Sequence, residues 1–321
     1  MSGTKLKIIS IAALLLVVFL WGIAPIVSKY LFDNNFYSPA LLVAVRGLLA
    51  SVALFIVIIL TKGFKDVTKA YWICIPAGLI LGAAYLFQFI GLDSTTPAKN
   101  TFLESISCIA VPITLFILVR EKPSWSAILA ALACLVGSFI LCGNGWDFSG
   151  MFTAPTMGDI LSAIGGIFFG IDIAFTKVFA KGKNPVVYVF FQLVILTVLS
   201  FAYALPFEKD IAFSWEWTNL LILVFLGVGC TALCWLMRTD AIKNVSAVTC
   251  AVIMPMAAVI ATITSIIFKI EQFSWNVVAG GLIITLAIVI SGVYDAKAEK
   301  KHKIQNEKIE EVVDNEDNQC Q

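Results

Sequence analysis

Ten apolar runs separated by short polar breaks organise this chain. They fall near residues 8–31, 40–61, 70–91, 98–119, 125–143, 156–180, 185–205, 215–237, 246–268 and 276–294. Each is about 19 to 25 residues long, enough at 1.5 Å per residue to cross the roughly 30 Å hydrocarbon core of a bilayer. The runs are too long for transmembrane strands and do not alternate with a period of two. The pattern therefore predicts ten membrane helices. The fourth and fifth runs are split only by the polar turn Arg120–Ser124. Lys5 and Lys7 ahead of the first run give it the look of a signal peptide. It is longer than such a segment's apolar core and lacks a small-x-small cleavage site, so it reads as a retained span.

The pattern is written twice. Trp21-Gly22-Ile23-Ala24-Pro25-Ile26-Val27-Ser28-Lys29 aligns with Phe169-Gly170-Ile171-Asp172-Ile173-Ala174-Phe175-Thr176-Lys177, 148 positions later. Arg120-Glu121-Lys122-Pro123-Ser124-Trp125 aligns with Ile270-Glu271-Gln272-Phe273-Ser274-Trp275, 150 positions later. Two matches at nearly one offset point to an internal repeat, and an apolar chain with such a repeat points to a transporter. The expected organisation is a first five-helix repeat over residues 8–143 and a second over 156–294. A charged cytoplasmic tail, residues 295–321, follows.

Composition agrees with a membrane protein. The chain is 60% hydrophobic and 13% charged over 321 residues, well away from a soluble average. The net charge of +1 gives no basic stripe for nucleic acid, so no nucleic-acid partner is expected. The placement of the basic residues is more informative than their sum. With the N-terminus inside, the inner side carries Lys5 and Lys7, the Lys62–Lys69 group, Arg120 and Lys122, Lys181 and Lys183, Arg238 and Lys243, and five tail lysines. The outer side carries only Lys99, Lys209 and Lys269. This asymmetry predicts cytoplasmic termini, with extracytoplasmic loops near 32–39 and 144–157. Five spans per repeat is an odd number, so the second repeat enters from the opposite side. The repeats are then inverted about an axis in the membrane plane, which is the physical basis of alternating access.

The chain resembles the drug/metabolite transporter superfamily, most closely its EamA-type members. The resemblance rests on an ordered set of motifs across about residues 8–294. These are Trp21-Gly22, Arg46-Gly47-Leu48-Leu49-Ala50, Gly91-Leu92, Ala98 with Phe102-Leu103-Glu104, and Glu121 and Glu271 at the ends of spans four and nine. It implies an all-α, ten-helix inverted-repeat fold that moves small metabolites across the plasma membrane, often exporting amino acids or related compounds. It also implies that Tyr85, Gln88 and Trp235, in spans three and eight, line a cavity. The chain departs from the family where Arg120 and Ile270, rather than Gly, precede the closing Glu. Pro112 and Pro255 are also not equivalent under the repeat offset. Subfamily and substrate are left open by these departures.

Ionisable residues inside the spans are the main candidates for function, because each is costly in hydrocarbon and usually faces a cavity or a partner. Asp172 is the sharpest, since its repeat mate is Ala24 and symmetry does not require it. It reads either as a proton-coupling carboxylate or substrate anchor, or as a buried acid paired with a nearby cation. Glu104 and Arg46 lie at similar depth in spans four and two. They are expected either to pair with each other or to meet substrate. Gln192 replaces Arg46 in the second repeat, where it can hydrogen-bond but carry no charge. Lys29 and Lys177 lie near span ends and are expected to snorkel to the interface. Asp159 reads as the cap of span six. Gly78, Gly82, Gly165, Gly166 and Gly170 would let helices approach closely.

Enzyme chemistry finds little to work with. The single histidine, His302, lies in the polar tail, which removes histidine triads and histidine metal sites. Of the eight cysteines seven fall within spans and Cys320 in the tail, without a CxxC pair. No phosphate loop is present, so coupling would draw on a proton or sodium gradient rather than ATP. No cofactor or metal is expected. The partners expected are the lipid bilayer, a small-molecule substrate and a coupling ion. The competing reading is a non-transporting membrane sensor or scaffold built on the same bundle.

Overall fold

The computed structural model describes residues 3–120, 124–141, 156–208, 212–269 and 273–290. Glu121, Glu271 and the tail from residue 295 lie outside them. The described residues are helical, with one isolated bridge between Tyr37 and Phe213 and no other strand pairing. The first half holds α1 (Gly3–Asp33), α2 (Pro39–Thr61), α3 (Cys74–Asp93), α4 (Pro97–Glu104), α5 (Ser107–Val119) and α6 (Trp125–Leu141). The second holds α7 (Met157–Phe179), α8 (Pro185–Phe207), α9 (Trp217–Val224), a π-helical stretch Phe225–Leu233, α10 (Cys234–Asn244), α11 (Ala247–Ile253) and α12 (Met256–Ile267). A last apolar helix, α13, covers Trp275–Ile290.

Among the described residues, eight helical stretches are long and apolar enough to cross a membrane. They correspond to spans one to four and six to nine of the expected ten. The segments expected as spans five and ten hold shorter apolar helices, Ile128–Ile140 and Trp275–Ile290. Spans four and nine are not continuous. The fourth breaks between Glu104 and Ser107, and the ninth between Ile253 and Met256 at Pro255. Pro255 supplies no backbone donor, so a break in the helix costs it no hydrogen bond. Its partner at the break in the first half is Ser105, 150 positions earlier. The mismatch of Pro112 and Pro255 therefore arises because the equivalent break is made without proline in the first half.

Local signals explain the helix ends, and they recur between the halves. Pro39 and Pro185 occupy the first turns of α2 and α8, where the missing N–H costs nothing. The Thr96 side chain accepts from the Lys99 N–H to cap α4, and Ser246 accepts from Thr249 to cap α11. Arg120 and Lys269 both leave their helices with a left-handed backbone, at φ 58° and 59°. Lys29 donates to the Asp93 carbonyl at the end of α3. Lys177, its repeat mate, donates to the Ile242 and Val245 carbonyls at and just beyond the end of α10. These ammonium groups satisfy orphan carbonyls and complement the helix dipole, a more specific task than the expected snorkelling. Asp159 forms the expected cap, a reciprocal box with Thr156, and also pairs with Lys99 at 2.6 Å.

Two ends of the bundle follow from these contacts. At the Pro39 end, Ser38 and the Ala40 and Leu41 N–H groups donate to Glu208, and Lys99 meets Asp159. At the Pro185 end, the Asn184 N–H donates to Tyr71 and Lys243 donates to the Lys183 carbonyl. The glycines hold the helices between them close together. A Cβ on Gly166 would lie 2.7 Å from the Leu103 carbonyl oxygen and 2.9 Å from Glu104 Cα. Both obstacles are backbone, so α7 and α4 would have to part. Gly166→Ala is therefore expected to cost about 1–3 kcal/mol. Its thermal unfolding midpoint in detergent should fall well below that of Gly229→Ala, whose Cβ would meet only the Phe225 ring at 3.5 Å. Equal midpoints would show that this approach is not tight.

Candidate functional site: a polar cavity and a buried charge cluster

A narrow cavity, with about 40 Å³ of space for the centres of water-sized molecules, lies in the half of the bundle nearer the Pro39 end. Its walls come from α1, α2, α3, α4, α7 and α10, and from the breaks at Ser105 and Pro255. The broken helices bring the Ser105 and Ser107 side chains and the Met254–Pro255 turn to the cavity, which a continuous apolar helix would not do. Trp21, Tyr85, Phe89, Phe169 and Trp235 supply aromatic walls. Tyr85 and Trp235 are repeat mates and join across the middle, the Trp235 Nε1–H donating to the Tyr85 hydroxyl at 2.6 Å.

Three polar side chains converge on this space. The Gln88 amide donates to Glu104 Oε2 at 2.8 Å. The Arg46 guanidinium lies over the rings of Tyr85 and Phe89, 5.2 and 4.9 Å from their centroids. Its Nε donates to Thr231 Oγ1 at 2.9 Å, while its Nη1 is buried with no protein partner. Thr231 sits in the π-helical stretch, and its hydroxyl reaches back five residues to the Leu226 carbonyl. The Cys230 carbonyl in the same stretch accepts from Trp21 Nε1 at 2.8 Å. The widened turn thus holds both the cation and an aromatic wall. Arg46 and Glu104, expected to pair, do not form an ion pair here. Each takes a neutral partner, and both face the cavity.

The second polar cluster lies nearer the Pro185 end and off the cavity. Asp172 is fully buried, with Arg238 Nη1 2.8 Å from its Oδ2 and the Gln192 amide donating to its Oδ1 at 2.5 Å. Arg238 is itself buried and stacks on Trp235, 4.4 Å from the ring centroid. This corrects one expectation and bears on another. The sequence places Arg238 in the inner loop, but the helix runs on to Asn244 and carries the guanidinium inside, where Asp172 neutralises it. Losing one residue from the inner count leaves the charge asymmetry intact. Asp172, in turn, does not line the cavity. Of its two readings, the buried acid with a cation is what the geometry presents.

Of the expected site residues, Arg46, Tyr85, Gln88, Glu104 and Trp235 come together at the cavity, and Asp172 and Gln192 meet elsewhere. Arg238 and Thr231 were missed. Arg238 had a signal, since it follows Gln88 by the same 150 positions that separate Trp235 from Tyr85. Thr231 had none, because hydropathy does not reveal a π turn.

Apolar helices of membrane-crossing length define a multi-pass membrane protein. Residues 8–143 and 156–293 match the EamA-like transporter family, and the chain belongs to that family. An uncharacterized transporter from Archaeoglobus fulgidus is 26% identical over 277 residues, covering 86% of this chain and 83% of the relative. An uncharacterized transporter from Clostridium kluyveri is 22% identical over 201 residues, covering 61% and 63%. The fold also superimposes on a solved crystal structure with a TM-score of 0.73, covering 91% of this chain and 97% of that one at 16% identity.

Proposed function

We propose that this protein is a secondary transporter that moves a small zwitterionic metabolite, an amino acid or a related compound, across the plasma membrane by alternating access. The observation that carries the reading is the cavity itself. It is lined by a guanidinium and a carboxylate, Arg46 and Glu104, against aromatic walls, and the Arg46 Nη1 is buried there without a protein partner. Arg46 would take the substrate carboxylate, for which its planar fork is suited. Glu104 would take the ammonium, with Gln88 holding the carboxylate in place. The aromatic walls would receive an apolar side chain and accept part of the ammonium charge.

The framework for movement is the pair of repeats, residues 8–143 and 156–294, each of five helices and inverted relative to the other. The paired helix breaks at Ser105 and Pro255, the paired caps at Thr96 and Ser246, and the paired lysine clasps support it. In this reading the Pro39 end faces outward, both termini and the tail are cytoplasmic, and a proton or sodium gradient drives the flux. Export is the direction the family resemblance favours.

Two measurements test these statements. Thermal stability of the purified protein, screened against amino acids and their mono-charged analogues, should rise only with compounds that carry both charges. Stabilisation by single-charge analogues alone would contradict the site. For orientation, single cysteines at the exposed positions Asn34 and Lys181 should react oppositely with an impermeant thiol reagent. Asn34→Cys should label in intact cells and Lys181→Cys only after permeabilisation. The reverse pattern would overturn the orientation.

A further inference from the structure

The two polar clusters are made of the same three chemical groups. Each holds one carboxylate, one glutamine that donates to it, and one arginine stacked on an aromatic ring: Glu104, Gln88 and Arg46 in one, Asp172, Gln192 and Arg238 in the other. The repeat relates them with an exchange. Arg46 and Gln192 are mates, seven residues from the starts of α2 and α8 at Pro39 and Pro185. Gln88 and Arg238 are mates on α3 and α10. The rings under the arginines, Tyr85 and Trp235, are also mates, bonded to each other between the clusters.

The clusters differ in state. Around Asp172 the charge pair is made, at 2.8 Å, and Asp172, Gln192 and Arg238 are each no more than 1% exposed. Around Glu104 the pair is not made: Arg46, also 1% exposed, is held aside by Thr231, Gln88 is buried, and Glu104 alone is partly exposed, at a cavity. The cluster off the cavity has the ion pair, and the cluster at the cavity lacks it.

We propose that these clusters are the two gates of the transport cycle, Asp172–Arg238 closing the Pro185 end and Glu104–Arg46 closing the Pro39 end, one pair made while the other is apart. The proposal rests on the transporter reading above and adds residues that close the path, Arg238 and Gln192 among them. A ligand is also given a way to act on the gates. A zwitterion seated between Arg46 and Glu104 bridges charges that stand apart at the cavity. It thereby favours the state in which α2 and α4 draw together and the Asp172–Arg238 pair parts. Both carboxylates keep a glutamine donor, so neither is abandoned when its arginine leaves.

The test is cysteine reactivity in membranes, in a background without native cysteines, with reporters Thr176→Cys beyond Asp172 toward the Pro185 end and Thr101→Cys on the cavity wall. Both sites are buried, at 1% and 4% exposure. The double change Asp172→Asn with Arg238→Gln removes the made pair without leaving a lone charge. It should raise the alkylation rate of Thr176→Cys at least about tenfold and slow that of Thr101→Cys, as a shift of population between the two states requires. Glu104→Gln removes the other pair and should do the opposite, slowing Thr176→Cys and speeding Thr101→Cys. If the double variant does not fold, the signs with Glu104→Gln decide alone. Reporters that rise together, or that do not move, overturn the gates. Substrate flux in vesicles of the same protein separates this from the broader reading. Flux with unlinked reporters sinks only the gates, and reciprocal reporters without any flux sink the transporter instead.

Discussion

Arg238→Ala is expected to cost about 3–5 kcal/mol of stability, more than any other single substitution in the two polar clusters. The reason is the residue left behind. Asp172 has no exposure, and its remaining polar contact is the Gln192 amide. Its carboxylate would sit in a low-dielectric interior without a countercharge, or take up a proton at the expense of folding free energy. The ring of Trp235 also loses the guanidinium stacked on it. The double variant Asp172→Asn with Arg238→Gln should recover much of the loss, because two neutral amides can still bond each other and neither charge is stranded. Thermal unfolding of the purified variants in one detergent measures both. A double variant no more stable than Arg238→Ala would mean that the two side chains do not stabilise each other. Arg46→Ala should be much milder in the same assay, since Arg46 is bonded to the neutral Thr231 and strands no anion.

For transport the order reverses. Arg46→Gln is expected to lower substrate affinity about 10- to 100-fold, corresponding to the roughly 1.5–3 kcal/mol carried by a hydrogen bond to a charged group. Arg46→Lys should recover only part of this. A lysine restores the charge, but not the planar fork that faces a carboxylate with two donors or stacks flat on Tyr85 and Phe89. Binding to purified protein, followed by ligand-induced thermal stabilisation, reads the effect directly. Unchanged affinity in Arg46→Gln would place the substrate elsewhere.

Much of this architecture is legible in the amino-acid sequence alone. The duplicated Gly, hydroxyl and Lys of α1 and α7 mark the repeat, and the apolar runs mark most of the helices. The polar positions at the cavity follow from the cost of burying Arg46 and Glu104. Three features are not legible, each for a physical reason. Hydropathy averages over a window, so the breaks at Ser105 and Pro255 disappear inside apolar runs. It also reads the polar stretch after Met237 as a loop. Arg238 is in fact tolerated inside because Asp172 lies on another helix, 66 positions earlier in the chain. Finally, equal depth in two spans does not make a pair. Arg46 and Glu104 are level, but Thr231 and Gln88 are the partners that the π turn and α3 bring closer.

The central claim is that the cavity between Arg46 and Glu104 carries a zwitterion across the membrane. Purified protein in sealed vesicles, offered radiolabelled amino acids one at a time, tests it most directly. The expected result is saturable flux of at least one amino acid above that of protein-free vesicles. That flux should be competed by other zwitterions but not by their mono-charged analogues, and strongly reduced in Arg46→Gln. Flux that is indifferent to Arg46→Gln, or no flux of any zwitterion under imposed proton or sodium gradients, would contradict it.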